Sequence, residues 1–262
     1  MMKYFRLFTY EMKNILRDKM TMLMLVYPLL IIMIGSFIIP RLIDVYGQEA
    51  AGQELAVLVV IIVFSSLAPF ITAAMLGFNL IDHLDENTLD TIRVTPVSLK
   101  GYVTFKTVYA YLLSVNASFW TLFGVKHLSG DGYTFHGVNL WDGFTAGNIL
   151  IYAFAAGLFT PVFAMFLASV SKNKIEGFAY MKITGMLVFL PVILVLDTMQ
   201  DFKQYIIGIY PIFWPVKALM VSADFLTHEH NLTYSLYITI GVFYSLFLTL
   251  LAYKHFENKL QS

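Results

Sequence analysis

The sequence predicts an all-α integral membrane protein, and three observations carry that prediction. Hydrophobic residues make up 58% of the 262-residue chain, only 13% of residues are charged, and mean hydropathy is +0.72. Soluble domains carry roughly 25% charged residues. The apolar residues gather into six continuous runs, at 20–39, 55–80, 102–125, 147–170, 178–197 and 234–253. Each reaches the roughly 20 residues that a helix rising about 1.5 Å per residue needs to cross a hydrocarbon core about 30 Å thick. Continuous runs also argue against barrel strands, which alternate over about ten residues.

Residues 1–17 precede the first span and are too polar to cross. Projected at about 100° per residue, Phe5, Phe8, Met12, Ile15 and Leu16 share one face, and Lys3, Arg6, Lys13 and Arg17 share another. Such a helix is expected to lie among lipid headgroups, its basic face toward anionic lipid, and to turn into the first span near Asp18. The first apolar run lacks a small-residue cleavage site, so it is expected to stay in place rather than be removed as a signal peptide.

The second span ends in a compact polar insert, Asp82–Lys100. Asp85 or Asn87 is suited to cap a short helix through Thr88–Arg93, with acids at its positive N-terminal end. Thr95-Pro96 then reads as a stop and a restart, with Thr95 capping the next helix. Leu89 and Ile92 offer one small apolar face rimmed by charge, a knob suited to docking a cytosolic partner. The plain alternative is a solvated loop that connects two spans.

Polar residues inside spans face the bundle or a cavity, because lipid does not satisfy them. Asn79 is expected to line a path or a packing face, beyond Ser65, Ser66 and Pro69 on the same span, and Asn116 to tie neighbouring helices together. The turn Ser171–Gly177 reads as a positively charged connection. The stretch 198–233 holds an apolar segment, Tyr205–Met220, interrupted by Pro211 and Pro215 and too short to span. It is expected to form a re-entrant or interfacial element with Tyr210, Phe213 and Trp214 at headgroup depth, capping the outer end of the bundle.

Orientation follows from the 17 Lys and Arg residues. With both termini in the cytoplasm, 13 of them fall on the inner side and only Arg41, Lys126, Lys203 and Lys217 on the outer side. The chain is therefore expected to be a multi-pass protein of the cell membrane, folded as one domain over 1–262. Its formal charge of zero gives no sign of a nucleic-acid partner. The absence of cysteine leaves the outer loops to hold their shape by packing alone.

No G-x-x-x-x-G-K-[ST] phosphate cradle occurs, so ATP hydrolysis is not expected from this chain. Asp82, His83, Asp85 and Glu86 include acid, base and metal-ligand types, which keeps an intramembrane enzyme open as a competing class. Against it, His83 lacks a helical His partner four residues on, and there is no G-x-S-x-G elbow. The scarcity of charge in the span centres argues against a proton relay and suits an apolar or amphipathic cargo.

The run Glu86-x-Thr88-Leu89, then Thr95-Pro96-Val97-Ser98 and Lys106, resembles the loop between the second and third spans of type 2 ATP-binding-cassette exporter permeases. The order of the other elements agrees, including Tyr210-Pro211-x-Phe213-Trp214-Pro215 before the last span. Asn87 stands where that family often has glycine. The resemblance implies an elbow helix at 1–18 and a coupling helix in the insert, with Asp85, Glu86, Thr88, Leu89, Ile92 and Arg93 facing a cytosolic ABC ATPase subunit. By position it nominates Phe64, Ser65, Pro69, Asn79, Phe189 and Pro191 as a substrate path. It further implies a homodimer or a pair with a related permease, with ATP and Mg used by the partner ATPase and no cofactor bound by this chain. The function so implied is the membrane half of an ATP-driven exporter of an unidentified substrate. The alternative is an intramembrane enzyme or a membrane scaffold acting without ATP.

Overall fold

The computed structural model describes residue 9 and residues 19–46, 53–86, 98–135, 138–199, 201–224 and 231–261. Among the described residues, six helical segments are long and apolar enough to cross a membrane: Leu25–Val45, Ala56–Asp85, Leu99–Leu128, Ala146–Val170, Lys174–Val195 and Tyr234–Lys259. They coincide with the six runs in the sequence. The amphipathic segment at 1–17 lies, Thr9 apart, outside the described residues, as does the insert between residues 87 and 97.

The first span is α1 (Lys19–Met33), a π-helical turn (Ile34–Ile38) and α2 (Ile39–Tyr46). The π-turn lies at a close contact between spans. A Cβ at Gly35 would meet the Phe64 ring at 2.6 Å and Val125 at 2.9 Å, so the first span touches the second and third here through bare backbone. The Tyr133 hydroxyl, from the following outer loop, donates to the Gly35 carbonyl at 2.6 Å.

The second span, α3 (Gln53–Asp85), is the centre of the bundle and packs against the third, fourth and fifth spans. Pro69 sits at its midpoint and lacks the N–H that would close the Ser65 carbonyl. Neighbouring spans repair the break. Tyr152 donates its hydroxyl to the Ser65 carbonyl, Thr160 to Pro69 O at 3.3 Å, and Tyr27 to Ala68 O at 2.8 Å.

The third span is α4 (Leu99–Leu128). Its cap is Ser98, in extended conformation, whose hydroxyl accepts from Gly101 N at 3.1 Å. The residue expected to cap it, Thr95, lies outside the described residues. Asn116 differs from expectation: its amide donates to Leu112 O at 2.8 Å on its own helix and is exposed, so among the described residues of this chain it does not tie helices together. Four residues of spacing let the side chain reach back to the nearest carbonyl, which takes up one of its donors without a partner span.

The loop after α4 contains the short hairpin β1 (Thr134–Phe135) and β2 (Val138–Asn139), paired antiparallel with Thr134 opposite Asn139. It is held by packing and hydrogen bonds. Tyr133, Trp141 and Phe144 are buried, and Lys126 donates to the carbonyls of Trp141 at 2.8 Å and Phe144 at 2.7 Å.

The fourth span is α5 (Ala146–Gly157) and α6 (Phe159–Val170), broken at Leu158. The fifth is α7 (Lys174–Gly185), continued by a 3₁₀ stretch, Met186–Val195, that contains Pro191. Ten residues of 3₁₀ helix is long, since such runs rarely exceed three or four.

Two 3₁₀ turns, Asp197–Met199 and Phe202–Ile209, lead to α8 (Phe213–Ser222). This segment turns back against the spans. Phe213 and Val216 are fully buried in protein. The reason is local: Phe213 packs with Tyr237 and Tyr205 at 6.4 Å, while Trp214 Nε1 donates to Gly208 O at 2.9 Å. The last span is α9 (Tyr234–Gln261). One connected hydrophobic cluster runs from Tyr27 in the first span to Phe256 in the last.

Candidate functional site

Two features concentrate at the end of the bundle where α3 stops and α4 begins. The first is a polar knot. Asn79 and His83 are four residues apart on α3, and Tyr102 and Lys106 are four apart on α4, so each pair shares a helix face and the two faces meet. Lys106 is 3% exposed. Its ammonium donates to Asn79 Oδ1 and lies 2.9 Å from His83 Nε2. Tyr102 Oη is 2.8 Å from the same nitrogen, and the Lys106 ammonium is 5.0 Å from the centre of the Tyr102 ring. An ammonium has donors only, so His83 Nε2 accepts and its proton belongs on Nδ1.

Charged ties surround the knot. Lys174, on α7, pairs with Asp82 on α3 at 2.8 Å. Lys100, on α4, pairs with Glu257 on α9 at 2.5 Å. Lys259 of α9 donates to Ala168 O at 2.8 Å and to Ser171 O, completing the C-terminal carbonyls of α6. Five helices are thus joined at one end, while Asp85 and Glu86 emerge exposed from α3 with Glu86 N donating to Asp82 O at 2.9 Å. Of the residues expected to face an ATPase, Thr88, Leu89, Ile92 and Arg93 lie outside the described residues.

The residues expected along a path are not gathered in one place. Phe64, Ser65 and Pro69 are buried between helices, with the Ser65 hydroxyl donating to Ile62 O at 2.8 Å. Asn79 belongs to the knot. Pro191 is buried, whereas Phe189 is 49% exposed on the outer face of the fifth span.

The second feature is a cleft of about 420 Å³ between α6, α7 and α9. Phe159, Phe163 and Phe166 of α6 form one wall, Leu187 belongs to the opposite one, and Leu248 and Leu251 come from α9. Ser169 and His255 lie at one end, and Tyr210 and Pro211 close the other. The Phe159 and Phe163 rings are nearly parallel at 5.5 Å, and Tyr210 meets Phe159 edge-on at 5.4 Å. Sequence reading missed this cleft because its lining is ordinary span composition. It missed the role of Lys106 because a lone basic residue near a span end reads as a topology signal, although the paired four-residue spacings 79/83 and 102/106 were there to be read.

Six apolar helices long enough to span, five of them joined at one end by polar contacts, define a multi-pass membrane protein. The chain belongs to the Rv2686c-like family, described as fluoroquinolones export permease protein Rv2686c-like, whose model matches residues 11–253. It is therefore a membrane export permease rather than an intramembrane enzyme. It is 22% identical over 257 residues to the fluoroquinolones export permease protein Rv2686c of Mycobacterium tuberculosis strain ATCC 25618 / H37Rv. The match covers 95% of this chain and 92% of that relative. The fluoroquinolones export permease protein MT2760 of strain CDC 1551 / Oshkosh matches with the same identity and coverage. No solved structure matches the chain at a significant level.

Proposed function

We propose that this chain is the membrane half of an ATP-driven exporter, in which separate cytosolic ATPase subunits grip the insert at 82–100 and drive export of planar amphipathic compounds of the fluoroquinolone type. The observation that carries the reading is the family match across 11–253, which includes the insert, the first five spans and most of the sixth. The geometry supports the coupling step. The insert leaves α3 just beyond Asp82, which is paired to α7, and returns into α4, whose Lys106 is bonded to α3. A push on the insert is delivered to helices already joined, so it moves them as a body. The excess of Lys and Arg at this end supports a cytoplasmic position for it and for both termini.

ATP and Mg belong to the partner ATPase in this scheme, and a second permease copy or a related permease completes the path. The test is co-purification of a tagged chain expressed with its cognate ATPase. The reading expects the ATPase in the eluate, and expects charge reversal at Glu86 and Arg93 to weaken its capture and to reduce ATP-dependent efflux. An eluate free of ATPase, with efflux unchanged in the charge-reversed variant, sinks the coupling scheme.

A further inference from the structure

The outer half of the fifth span is wound in a form that helices rarely keep. Met186–Val195 is ten residues of 3₁₀ helix, where runs beyond three or four are uncommon. Its hydrogen bonding ends with Leu196 N, which donates to Ile193 O at 3.0 Å. Side chains three apart eclipse one another in such a helix. The burial follows that period: Val188 is 2% exposed, Pro191 is buried and Leu194 is 1% exposed, while Met186 and Phe189 on the neighbouring row are exposed.

Two local preferences oppose each other here. Hydrogen bonds are better aligned in an α-helix than in a 3₁₀ helix, which favours conversion. Against it, the Pro191 ring clashes with the Leu187 carbonyl in an α-helix, and Val188, Val192, Ile193 and Val195 are β-branched residues that an α-helix restricts. The change strands no additional backbone group. Pro191 has no N–H, so one carbonyl of the stretch lacks its donor in either form, that of Val188 in 3₁₀ and that of Leu187 in α. Neighbours restrain the stretch little, since only 17% of the fifth span's apolar window is buried.

The two forms differ in length and in the side chains they bury. Ten residues rise about 20 Å as 3₁₀, at about 2.0 Å each, and about 15 Å as α, at about 1.5 Å each, a shortening of about 5 Å. The turn per residue falls from about 120° to about 100°, so over the six residues from Val188 to Leu194 the leucine is left about 120° behind. That rotation matters because of where Leu194 sits. With Ile207 of the 202–209 turn, Phe213 and Ala218 of α8 and Tyr237 of α9, it forms a small buried cluster distinct from the long one that runs through the bundle. Leu194 is thus a key that holds the fifth span to the outer cap, and conversion to α withdraws it. The joint below is Gly185, where an added Cβ would lie 3.2 Å from the Phe70 ring of α3, so this end of the stretch rests on the central span.

We propose that Met186–Val195 is a 3₁₀-to-α switch, latched by Leu194 in the cap cluster, whose conversion draws the fifth span about 5 Å away from the outer cap and opens the bundle at that end. The other end of the same span carries Lys174, tied to Asp82 beside the insert, so a pull on the insert reaches the switch through α7. The movement is a property of this chain; that it releases cargo rests on the export reading above.

The chain has no cysteine, so cysteines placed at the exposed positions Ile183 and Leu196 carry spin labels on either side of the stretch without a competing thiol. Their separation is measured by double electron–electron resonance on the full-length chain in lipid nanodiscs, alone and assembled with its cognate ATPase holding a non-hydrolysable ATP analogue. Pro191→Ala removes the obstacle to an α-helix and is expected to shorten the distance by about 5 Å relative to the free wild type. The ATP-locked wild-type complex is expected to show the same shortening, and Leu194→Ala, which removes the key and keeps Pro191, to populate both distances. Single labels at 186–190 and 192–195 read the period: oxygen accessibility is expected to be lowest at 188 and 194 in the free wild type, and at 188 and 195 in Pro191→Ala. One distance shared by wild type, both folded variants and the ATP-locked complex overturns the proposal. So does a shortening in the variants that ATP never produces in the assembled wild type, because the stretch then yields without switching. The comparison with and without ATP uses wild type alone and decides the matter even where a variant does not fold. An ATPase that fails to co-purify removes the export reading alone, and the switch is then judged by wild type against the two variants.

Discussion

Tyr152 donates its hydroxyl to the carbonyl of Ser65, the group that Pro69 leaves open by lacking an N–H. A proline in the middle of the central span is thus tolerated because a side chain of the fourth span supplies the missing donor. Without water nearby, an unsatisfied carbonyl at such a position is costly.

Tyr152→Phe is expected to destabilise the protein by about 1–3 kcal/mol, since it strands a buried acceptor. Pro69→Ala restores the helix's own donor to that carbonyl. The double variant is therefore expected to recover most of the loss, a non-additivity of about 0.5–3 kcal/mol for groups acting on one atom. Denaturant or thermal unfolding of the four proteins in one detergent measures it, and strict additivity would contradict the repair.

The Gly35 position is expected to resist any side chain. A Cβ there meets the Phe64 ring at 2.6 Å and Val125 at 2.9 Å, and both of these neighbours are buried. Gly35→Ala is expected to lower stability by about 1–3 kcal/mol through overpacking. Tyr133→Phe is expected to cost about 1–3 kcal/mol separately by freeing the Gly35 carbonyl. Comparing melting curves of the two variants with wild type checks both.

In the polar knot, Lys106 and His83 share one nitrogen lone pair with Tyr102. Lys106→Met and His83→Leu are expected to be strongly non-additive, by about 0.5–3 kcal/mol, because each leaves the other's contacts partly unmade. The tie from Lys174 to Asp82 is a contrast. Its side chains are 44% and 36% exposed, so Asp82→Asn is expected to cost only about 0.2–1 kcal/mol, less at high salt.

Lys217 supplies a pH signature. It lies on α8, outside the six spans, is 1% exposed, and burial pushes its amine down to about 8. An unfolded lysine titrates near about 10.4. Between these values the unfolded chain holds more protons than the folded one, so this group's contribution to stability rises from about pH 8 to about pH 10.4 and is flat below. The melting temperature of wild type minus that of Lys217→Met, followed across this range, is expected to climb. A flat difference would show that the amine titrates normally in the fold.

The six spans were legible in the sequence because crossing a bilayer needs a long unbroken apolar run, and nothing else in the chain has that length. Pro69 and Tyr152 were each readable, but their connection was not, since they are far apart in sequence and nothing local marks a hydroxyl as the donor for a distant carbonyl. Asn116 shows the opposite failure: a polar residue in a span looked like a link between helices, yet a carbonyl four residues back satisfies it. That the segment around Phe213 is too interrupted to span was readable from Pro211 and Pro215, but its burial against Tyr205 and Tyr237 was not, since those rings come from separate elements. The cleft is built from α6, α7 and α9, and only their packing creates it.

The most direct test of the central claim is ATP-dependent uptake of norfloxacin into inverted membrane vesicles containing this chain and its cognate ATPase. The account predicts accumulation that requires ATP, fails when the ATPase lacks its phosphate-binding lysine, and falls when Glu86 and Arg93 are charge-reversed. Accumulation of equal size without the ATPase, or none with both subunits present and assembled, would contradict it.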